Sequence, residues 1–188
     1  MKSLLWSILS VIVLAATAIL AATPEVLVVD AAQSRVEIVV KATVDSFTGK
    51  LGVYKAAITV EGGRIATASF RFNCNAIRTG KDGRDEAMNE WLETTKHPEG
   101  VFTLSALEPA ADGRFEARGT FVLHGVSREI VFPVSVITDR TLYAIDGVAT
   151  LDTQDFGLPV IRKFGLLKVD PVVKVRFHLQ GTVKKSQS

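Results

Sequence analysis

The sequence predicts an all-β domain of about eight antiparallel strands with one short helix. Three observations lead to this prediction. Most segments alternate apolar and polar side chains, as half-buried strands do. Turns rich in glycine and aspartate separate these segments at hairpin spacing. One stretch near the middle of the chain instead spaces its apolar residues by three and four, which is typical of a helix.

Consecutive antiparallel strands with one apolar face each close most economically into a barrel or a two-sheet sandwich. An eight-stranded barrel has an interior that side chains fill or that holds one ligand. The alternation alone leaves both outcomes open, although small residues at several inward positions favour an open interior. These positions are Ala42, Ala66, Ala68, Ala117 and Gly119.

Residues 1–23 have the composition of a signal peptide. A lysine at the second position is followed by an uncharged apolar run over residues 4–20 and by several alanines. Cleavage after Ala18 fits the pattern best, while a cut near Thr23 and an uncleaved anchor remain alternatives. We expect residues 24–188 to form a single domain, since this length is sufficient to bury a core. The leader predicts a periplasmic or secreted location.

The charge balance excludes one class of partner. The chain has 22 basic and 20 acidic residues, and its positive charges do not cluster. A sequence-independent grip on nucleic acid needs clustered positive charge. We therefore expect no nucleic-acid partner.

The first part of the chain predicts three strands. Residues 26–29 and 35–44 form the first two, a turn or bulge is expected at 47–50, and residues 54–61 form the third. Two glycines within residues 61–64 predict a tight reversal into the next strand. The side chains expected on the inner face of these strands include Val36, Ile38, Val40 and Ile58.

The next strand covers residues 64–76 and precedes a turn at 79–85, whose glycines and charges break the alternation. Phe70, Phe72 and Cys74 fall on its apolar face. Cys74 is the single cysteine of the chain and therefore forms no internal disulfide. Its position predicts an inert core thiol.

The helix follows this turn. Asp85 is expected to cap its first turn by accepting a hydrogen bond from a backbone N–H, and to pin the preceding loop. Pro98 forbids continuation. Met88 and Trp91 lie on one side of the helix. These two side chains either anchor the helix on the barrel or also line the end of its interior, where soft and large groups adapt to an apolar ligand.

Five further strands complete the pattern, at residues 101–107, 114–124, 128–138, 142–151 and 172–184. Short polar turns connect all but the last, which follows an irregular segment. The inner faces of these strands include Phe102, Phe121, Leu123, Phe132, Val134, Val175 and Phe177.

The polar residues predict no catalytic or metal site. His97, His124 and His178 are scattered in sequence and lack the spacing of metal ligands. His124 and Ser127 lack the nucleophile elbow that hydrolases use, so His124 is expected to hydrogen-bond the backbone at its turn. We expect a protein that is not an enzyme and that needs no metal and no cofactor.

One run of residues is similar to the YceI-like family in order and spacing. The run comprises Thr79, Gly80, Lys81, Arg84, Asp85, Met88, Leu92, Pro98 and Phe102. Residues 123–127 resemble the family's turn between two central strands, and residues 155–157 its late loop. The likeness extends over residues 26–183. It implies an eight-stranded antiparallel lipocalin-like barrel with a helix near one end, an apolar channel, and binding of polyisoprenoids or related lipids outside the cytoplasm.

Two departures from the family concern the mouth of the channel. Asp45, Ser46 and Phe47 stand where many relatives have a histidine and small polar residues. Thr153 or Gln154 replaces an arginine that relatives often have before the late loop. These changes bear on the identity of the ligand and leave the apolar faces untouched.

The resemblance implies that the barrel channel binds and sequesters or carries a polyisoprenoid, quinone-type or fatty-acyl lipid. The alternative is a ligand-free barrel that acts as a surface interaction or stress-response module. The residues expected to line the channel are Val36, Ile38, Val40, Ile58, Phe70, Phe72, Met88, Trp91, Phe102, Phe121, Leu123, Phe132, Val134, Val175 and Phe177.

The segment 158–168 mixes apolar and basic residues within a loop. It either packs over the barrel or forms a lip at which Arg162 and Lys163 meet phosphate headgroups during a transient contact with a membrane surface. The resemblance also allows a homodimer, which no residue in the sequence requires.

Overall fold

A computed structural model describes residues 23–43, 45–163 and 167–184. The leader expected over residues 1–23 lies almost entirely outside the described residues. No helix within the described ranges is long and apolar enough to span a membrane. The strands are β1 (Glu25–Val29), β2 (Arg35–Val40), β3 (Phe47–Leu51), β4 (Tyr54–Glu61), β5 (Arg64–Asn73), β6 (Ile77–Arg78), β7 (Glu99–Pro109), β8 (Phe115–Leu123), β9 (Val126–Asp139), β10 (Leu142–Asp152), β11 (Arg162–Lys163), β12 (Leu167–Lys168) and β13 (Val172–Lys184). The α-helix is α1 (Asp82–Trp91), and short 3-10 helices cover Cys74–Ala76 and Thr153–Phe156.

The strands form the predicted eight-stranded antiparallel barrel. Around the ring the order is β1, β4, β5, β7, β8, β9, β10 and β13, and the pairing of β13 with β1 closes it. Two strands share one place in the ring beside β13. The strand β1 pairs with the end of β13, and β2 pairs with its start. The strands β3 and β6 extend the sheet beyond β2, while β11 and β12 form a separate small hairpin.

Residues 47–50 belong to a strand, so the turn predicted there is wrong. These residues form most of β3, which pairs antiparallel with β2 from Glu37↔Lys50 to Val40↔Phe47. Gly49 suggested a turn, but its bare backbone instead leaves room for the Ile77 side chain, which would lie 2.9 Å from a Cβ at this position. The preceding strand is shorter than predicted and ends at Val40.

A β-bulge corrects the predicted inner face of β5. The pairing runs Thr59↔Thr67 and then Val60↔Ile65, which leaves Ala66 as the extra residue. Ala66 is exposed, and Ile65 takes the inward position that alternation alone assigned to its neighbour. A bulge of this kind shifts a strand by one residue and so exchanges its two faces.

The prediction that Cys74 lies on a strand is wrong. The strand β5 ends at Asn73, and Cys74 begins a 3-10 helix. The Asn73 side chain accepts a hydrogen bond from the Asn75 N–H and so turns the chain there. The thiol is fully buried. Burial, with a smaller contribution from the charge of Glu99, raises its pKa to about 11, so almost no thiolate exists at neutral pH.

The buried side chains form two groups. The larger fills the wall of the barrel, and Tyr143 lies within it at the end away from α1, where its hydroxyl donates to the Gly63 carbonyl at 3.1 Å. The smaller group, here called the cap cluster, lies at the end of the barrel that α1 covers. Its buried members are Cys74, Leu92, Phe121, Leu151, Phe156 and Leu158.

Candidate functional site: an apolar cavity in the barrel

The interior of the barrel contains a cavity of about 160 Å³ lined by 24 residues. Ser69 is the single polar residue among them. It lies between the inward-facing Ala68 and Phe70, on the outward face of β5, so the wall that faces the cavity is hydrocarbon. An apolar cavity of about 150 Å³ stays dry and accepts a molecule the size of benzene. The wall formed by the described residues therefore has room for an apolar group and offers it no hydrogen bond, although the Tyr54 hydroxyl is buried beside Phe70 without a partner among them.

Eleven of the fifteen residues predicted to line the channel lie on the wall of this cavity. They are Val36, Ile38, Ile58, Phe70, Phe72, Phe102, Phe121, Phe132, Val134, Val175 and Phe177. The structure thus brings side chains from seven strands around one space. That they contact a ligand stays a prediction.

The other four predicted residues lie outside the cavity wall. Val40 pairs with Phe47 at the end of β2, and Leu123 packs against the cap cluster at the end of β8. Trp91 packs against the cap cluster, and Met88 packs against both the cap cluster and the barrel core. Of the two roles considered for Met88 and Trp91, the structure shows the anchoring of α1.

Several wall residues were missing from the predicted set. Ile130, Ile145, Ala149 and Leu179 face inward by the same alternation that identified their neighbours, so the signal was present in the sequence. Ile65 was hidden by the β-bulge. The other wall residues are Leu51, Ala56, Ala68, Ser69, Leu104, Leu107, Ala117 and Leu151.

Phenylalanine rings lie against glycines of neighbouring strands, which keeps their bulk on the wall. The Phe72 ring covers Gly100, and the Phe177 ring covers Gly147, each across one strand pairing. The Phe102 ring covers Gly119 diagonally, since Gly119 pairs with Leu104. A Cβ at any of these glycines would overlap the ring. The glycines therefore let the rings lie flat, and the centre of the barrel stays open.

The start of α1 is fastened to the loop before it through Asp85. The prediction that Asp85 caps the helix is wrong. The cap position is Lys81, and Asp85 lies within the first turn. Its carboxylate accepts hydrogen bonds from the Thr79 N–H at 2.9 Å and the Thr79 hydroxyl at 2.6 Å. Burial opposes ionisation, but these bonds and the charges of Arg78 and Arg84 outweigh it and lower the pKa of Asp85. The predicted pinning of the loop is confirmed.

The end of α1 is fastened to the segment 158–168. The Trp91 indole N–H donates to the Pro159 carbonyl at 2.8 Å, and Leu158 is buried in the cap cluster. This part of the segment packs over the barrel. The Lys163 side chain and residues 164–166 lie outside the described residues, so a lipid-facing lip stays a prediction.

His97 and His124 meet in the structure, although they are far apart in the sequence. Their ring centroids lie 4.6 Å apart in an edge-on arrangement. The His124 Nδ1 lies 3.2 Å from the Phe156 carbonyl oxygen, which confirms its predicted bond to the backbone, and its Nε2 lies 3.2 Å from Glu93 Oε2. Neither nitrogen of His124 hydrogen-bonds Ser127, as a hydrolase triad would require.

Comparison with known proteins identifies relatives of this architecture. The model of the YceI-like domain family matches residues 27–181. The crystal structure of BcnA from Burkholderia cenocepacia superimposes with a TM-score of 0.73 at 20% identity, over 82% of this chain and 100% of that protein. A polyisoprenoid-binding domain from Saccharophagus degradans, implicated in plant cell wall breakdown, gives 0.60 at 17% identity, over 88% and 99% of the two chains.

The Campylobacter jejuni YCEI protein has a TM-score of 0.61 at 13% identity, over 77% of this chain and 88% of that one. Identities this low show a shared fold. A search of curated sequences finds no match.

Proposed function

The chain belongs to the YceI-like domain family, and from that premise we propose that it binds a long-chain apolar ligand inside its barrel and carries it without chemical change. The observation that carries the proposal is the cavity with a hydrocarbon wall. An empty cavity costs a folded protein about 24 cal/mol per Å³. For 160 Å³ the cost is about 4 kcal/mol, and an apolar occupant recovers most of it.

The chemistry of the wall favours a hydrocarbon chain over a compact polar molecule. Each buried methylene contributes about 0.8 kcal/mol, so a six-carbon segment gains about 5 kcal/mol, which corresponds to a Kd of about 0.2 mM. Micromolar affinity requires about ten buried carbons. A tight ligand must therefore be longer than the cavity, and its chain either displaces wall side chains or continues beyond them.

We infer that the ligand is a prenyl or acyl lipid. Its headgroup would lie outside the cavity, because the wall provides no polar contact. The Saccharophagus degradans domain of the same fold is described as polyisoprenoid-binding, which favours the prenyl class. Location in the periplasm or outside the cell accords with the signal-peptide composition of residues 1–23 and would place the protein where such chains need a carrier.

A carrier role rather than catalysis accords with the environment of His124. One of its ring nitrogens is hydrogen-bonded to the Phe156 carbonyl, and the other faces Glu93. In the described part of the chain, the side chains that face the cavity are hydrocarbon, since Ser69 lies on the outward face of β5. A reaction on a bound chain would therefore have no acid, base or nucleophile beside it.

A titration with prenyl alcohols of one to four isoprene units tests the proposal. We expect saturable binding whose affinity rises steeply while added carbons enter the barrel and levels off once they extend beyond it. Fatty alcohols of matched carbon number distinguish the prenyl from the acyl class. Absence of saturable binding by every chain, or an affinity that does not change with chain length, would refute the proposal.

A further inference from the structure

The end of the barrel that α1 covers holds a cluster of three side chains that the lipid proposal does not use. Glu93 follows α1, His97 lies before β7, and His124 lies in the turn between β8 and β9. One ligand atom from each residue lies within 4.8 Å of the other two. Glu93 is exposed, and both histidines are partly buried. An incoming ion could therefore reach the cluster.

The hydrogen bonding of His124 defines where its lone pair points. Its Nδ1 lies 3.2 Å from the Phe156 carbonyl oxygen, and a carbonyl oxygen only accepts, so Nδ1 carries the hydrogen. In neutral His124 the lone pair is then on Nε2, which lies 3.2 Å from Glu93 Oε2. Two lone pairs this close repel each other unless a proton or a metal ion lies between them. Metal-ligating histidines typically donate their other N–H to a carbonyl in this way.

The spacing of the atoms fits a small tetrahedral ion. Ligand atoms at about 2.0–2.1 Å from zinc lie about 3.3 Å apart, and the pair Glu93–His124 already lies at 3.2 Å. One ligand atom of His97 belongs to a group of three, one from each residue, that all lie within 4.8 Å of one another. A movement of roughly 1–2 Å brings ligand atoms at this distance to tetrahedral spacing.

The ligand types select the class of ion. Two imidazoles and one carboxylate are an established set for zinc with an open fourth position. Calcium and magnesium prefer oxygen ligands throughout, whereas imidazole suits zinc, copper and nickel. We propose that Glu93, His97 and His124 bind a divalent transition-metal ion of the zinc class.

Two of the three residues, Glu93 and His124, have backbone conformations with positive φ. Glu93 has a φ of 47° and His124 a φ of 51°, a region that favours glycine and asparagine. Gly125 lets the His97 ring approach, because a Cβ there would lie 2.9 Å from the His97 Cε1. Histidine is among the residues enriched in this region, whereas a glutamate there is uncommon, so Glu93 occupies a position that local geometry alone would not select.

Lys96 is the charged neighbour of the cluster. Its Nζ lies 2.8 Å from Glu93 Oε1, which leaves Oε2 directed at His124. The hydrogen bond and the charge of Lys96 lower the pKa of Glu93, so its carboxylate is ionised at neutral pH. The Lys96 side chain is 68% exposed, and solvent screens most of its repulsion of an ion at the cluster.

Because Glu93 and His97 lie in the turn after α1 and His124 lies in the turn between β8 and β9, a bound ion would tie the end of α1 to the rim of the barrel. Binding to the folded state alone stabilises it by mass action. At a free ion concentration of about 100 times Kd, the midpoint of thermal unfolding should rise by about 5–10 °C.

Isothermal titration of Zn²⁺ into tag-free protein, previously treated with a chelator, tests the proposal. We expect one ion per chain with a Kd of about 10 µM or lower, together with the rise in unfolding midpoint. His97→Ala and Glu93→Gln should each weaken binding at least tenfold. His124→Asn provides a third variant, because asparagine tolerates the positive φ at this turn.

His178→Ala is the matched control. His178 pairs with Asp146 at 2.8 Å on another face of the barrel, so it is also a histidine beside a carboxylate, but it lacks a third ligand among the described residues. Its substitution should leave zinc affinity unchanged. Absence of a one-to-one site, or undiminished affinity in both His97→Ala and Glu93→Gln, would overturn the proposal whatever the outcome of the lipid titration.

Discussion

Ala56 and Ala57 provide a direct test of the open interior. They are neighbours on β4, yet Ala56 lies on the cavity wall and Ala57 is exposed on the outer face. Replacing each in turn by leucine adds the same three carbons to the inside or to the outside of the barrel. The two variants therefore differ only in which face of the strand gains volume.

Opposite effects on stability and affinity are expected for Ala56→Leu. Three carbons buried in the 160 Å³ cavity are worth up to about 2.4 kcal/mol, which raises the unfolding midpoint by about 5–10 °C. The same carbons take space from a ligand, so the affinity for farnesol should fall by up to about 50-fold. Ala57→Leu should change stability by less than about 0.5 kcal/mol and leave affinity unchanged.

Thermal unfolding without ligand and a farnesol titration measure both quantities on the same samples. Loss of stability by about 1–3 kcal/mol in Ala56→Leu would indicate overpacking of an interior that is already filled. Stabilisation without any loss of affinity would place the ligand elsewhere. Either result would refute the reasoning that links the cavity to binding.

Three further predictions concern the wall and the cap of the barrel. Asp85→Asn should cost about 1.5–3 kcal/mol at pH 7, because the ionised carboxylate accepts two hydrogen bonds from Thr79. Since the pKa of Asp85 lies below its ordinary value of 3.8, this difference should be full above that pH and vanish as the pH falls through the lowered pKa; denaturant titrations that show a constant difference down to about pH 2.5 would contradict it. Cys74 should resist iodoacetamide at pH 8 in the folded protein and react after unfolding, because the thiol is buried and its pKa is raised to about 11; rapid labelling of the native state, measured by mass spectrometry, would be the opposite result. Gly147→Ala should push the Phe177 ring off the wall and into the cavity, lowering both stability and farnesol affinity, whereas an unchanged affinity would show that the ring does not border the ligand.

Alternation is a local property, so it predicted the strands and eleven of the 24 wall residues, while the resemblance to the YceI-like family implied the barrel. Phe132 and Val175 face the cavity for the same reason that their neighbours face solvent. The β-bulge that places Ile65 inside and Ala66 outside could not be predicted, because it depends on pairing with another strand. Alternation also does not predict how far along the barrel axis an inward-facing residue lies. This is why Val40 and Leu123 were assigned to a cavity that ends before them.

The polar contacts of the cap were the least predictable part. Asp85 lies in the first turn of α1 and accepts a hydrogen bond from Thr79 in the preceding loop. The sequence alone is equally consistent with a carboxylate that caps the helix. His97 and His124 meet because α1 folds over the rim and brings two distant segments together. No spacing rule reveals this contact, since the rules for metal ligands describe residues on one helix or one hairpin.

The central claim is that the barrel interior is occupied by a long apolar chain in the cell. Native mass spectrometry of the protein, purified without detergent from its natural host, tests this claim most directly. We expect a one-to-one complex whose excess mass is removed by organic extraction and restored by adding a prenyl or acyl chain. A protein that carries no lipid, and whose mass does not shift on addition of either chain class, would contradict it and favour a barrel that acts through its surface.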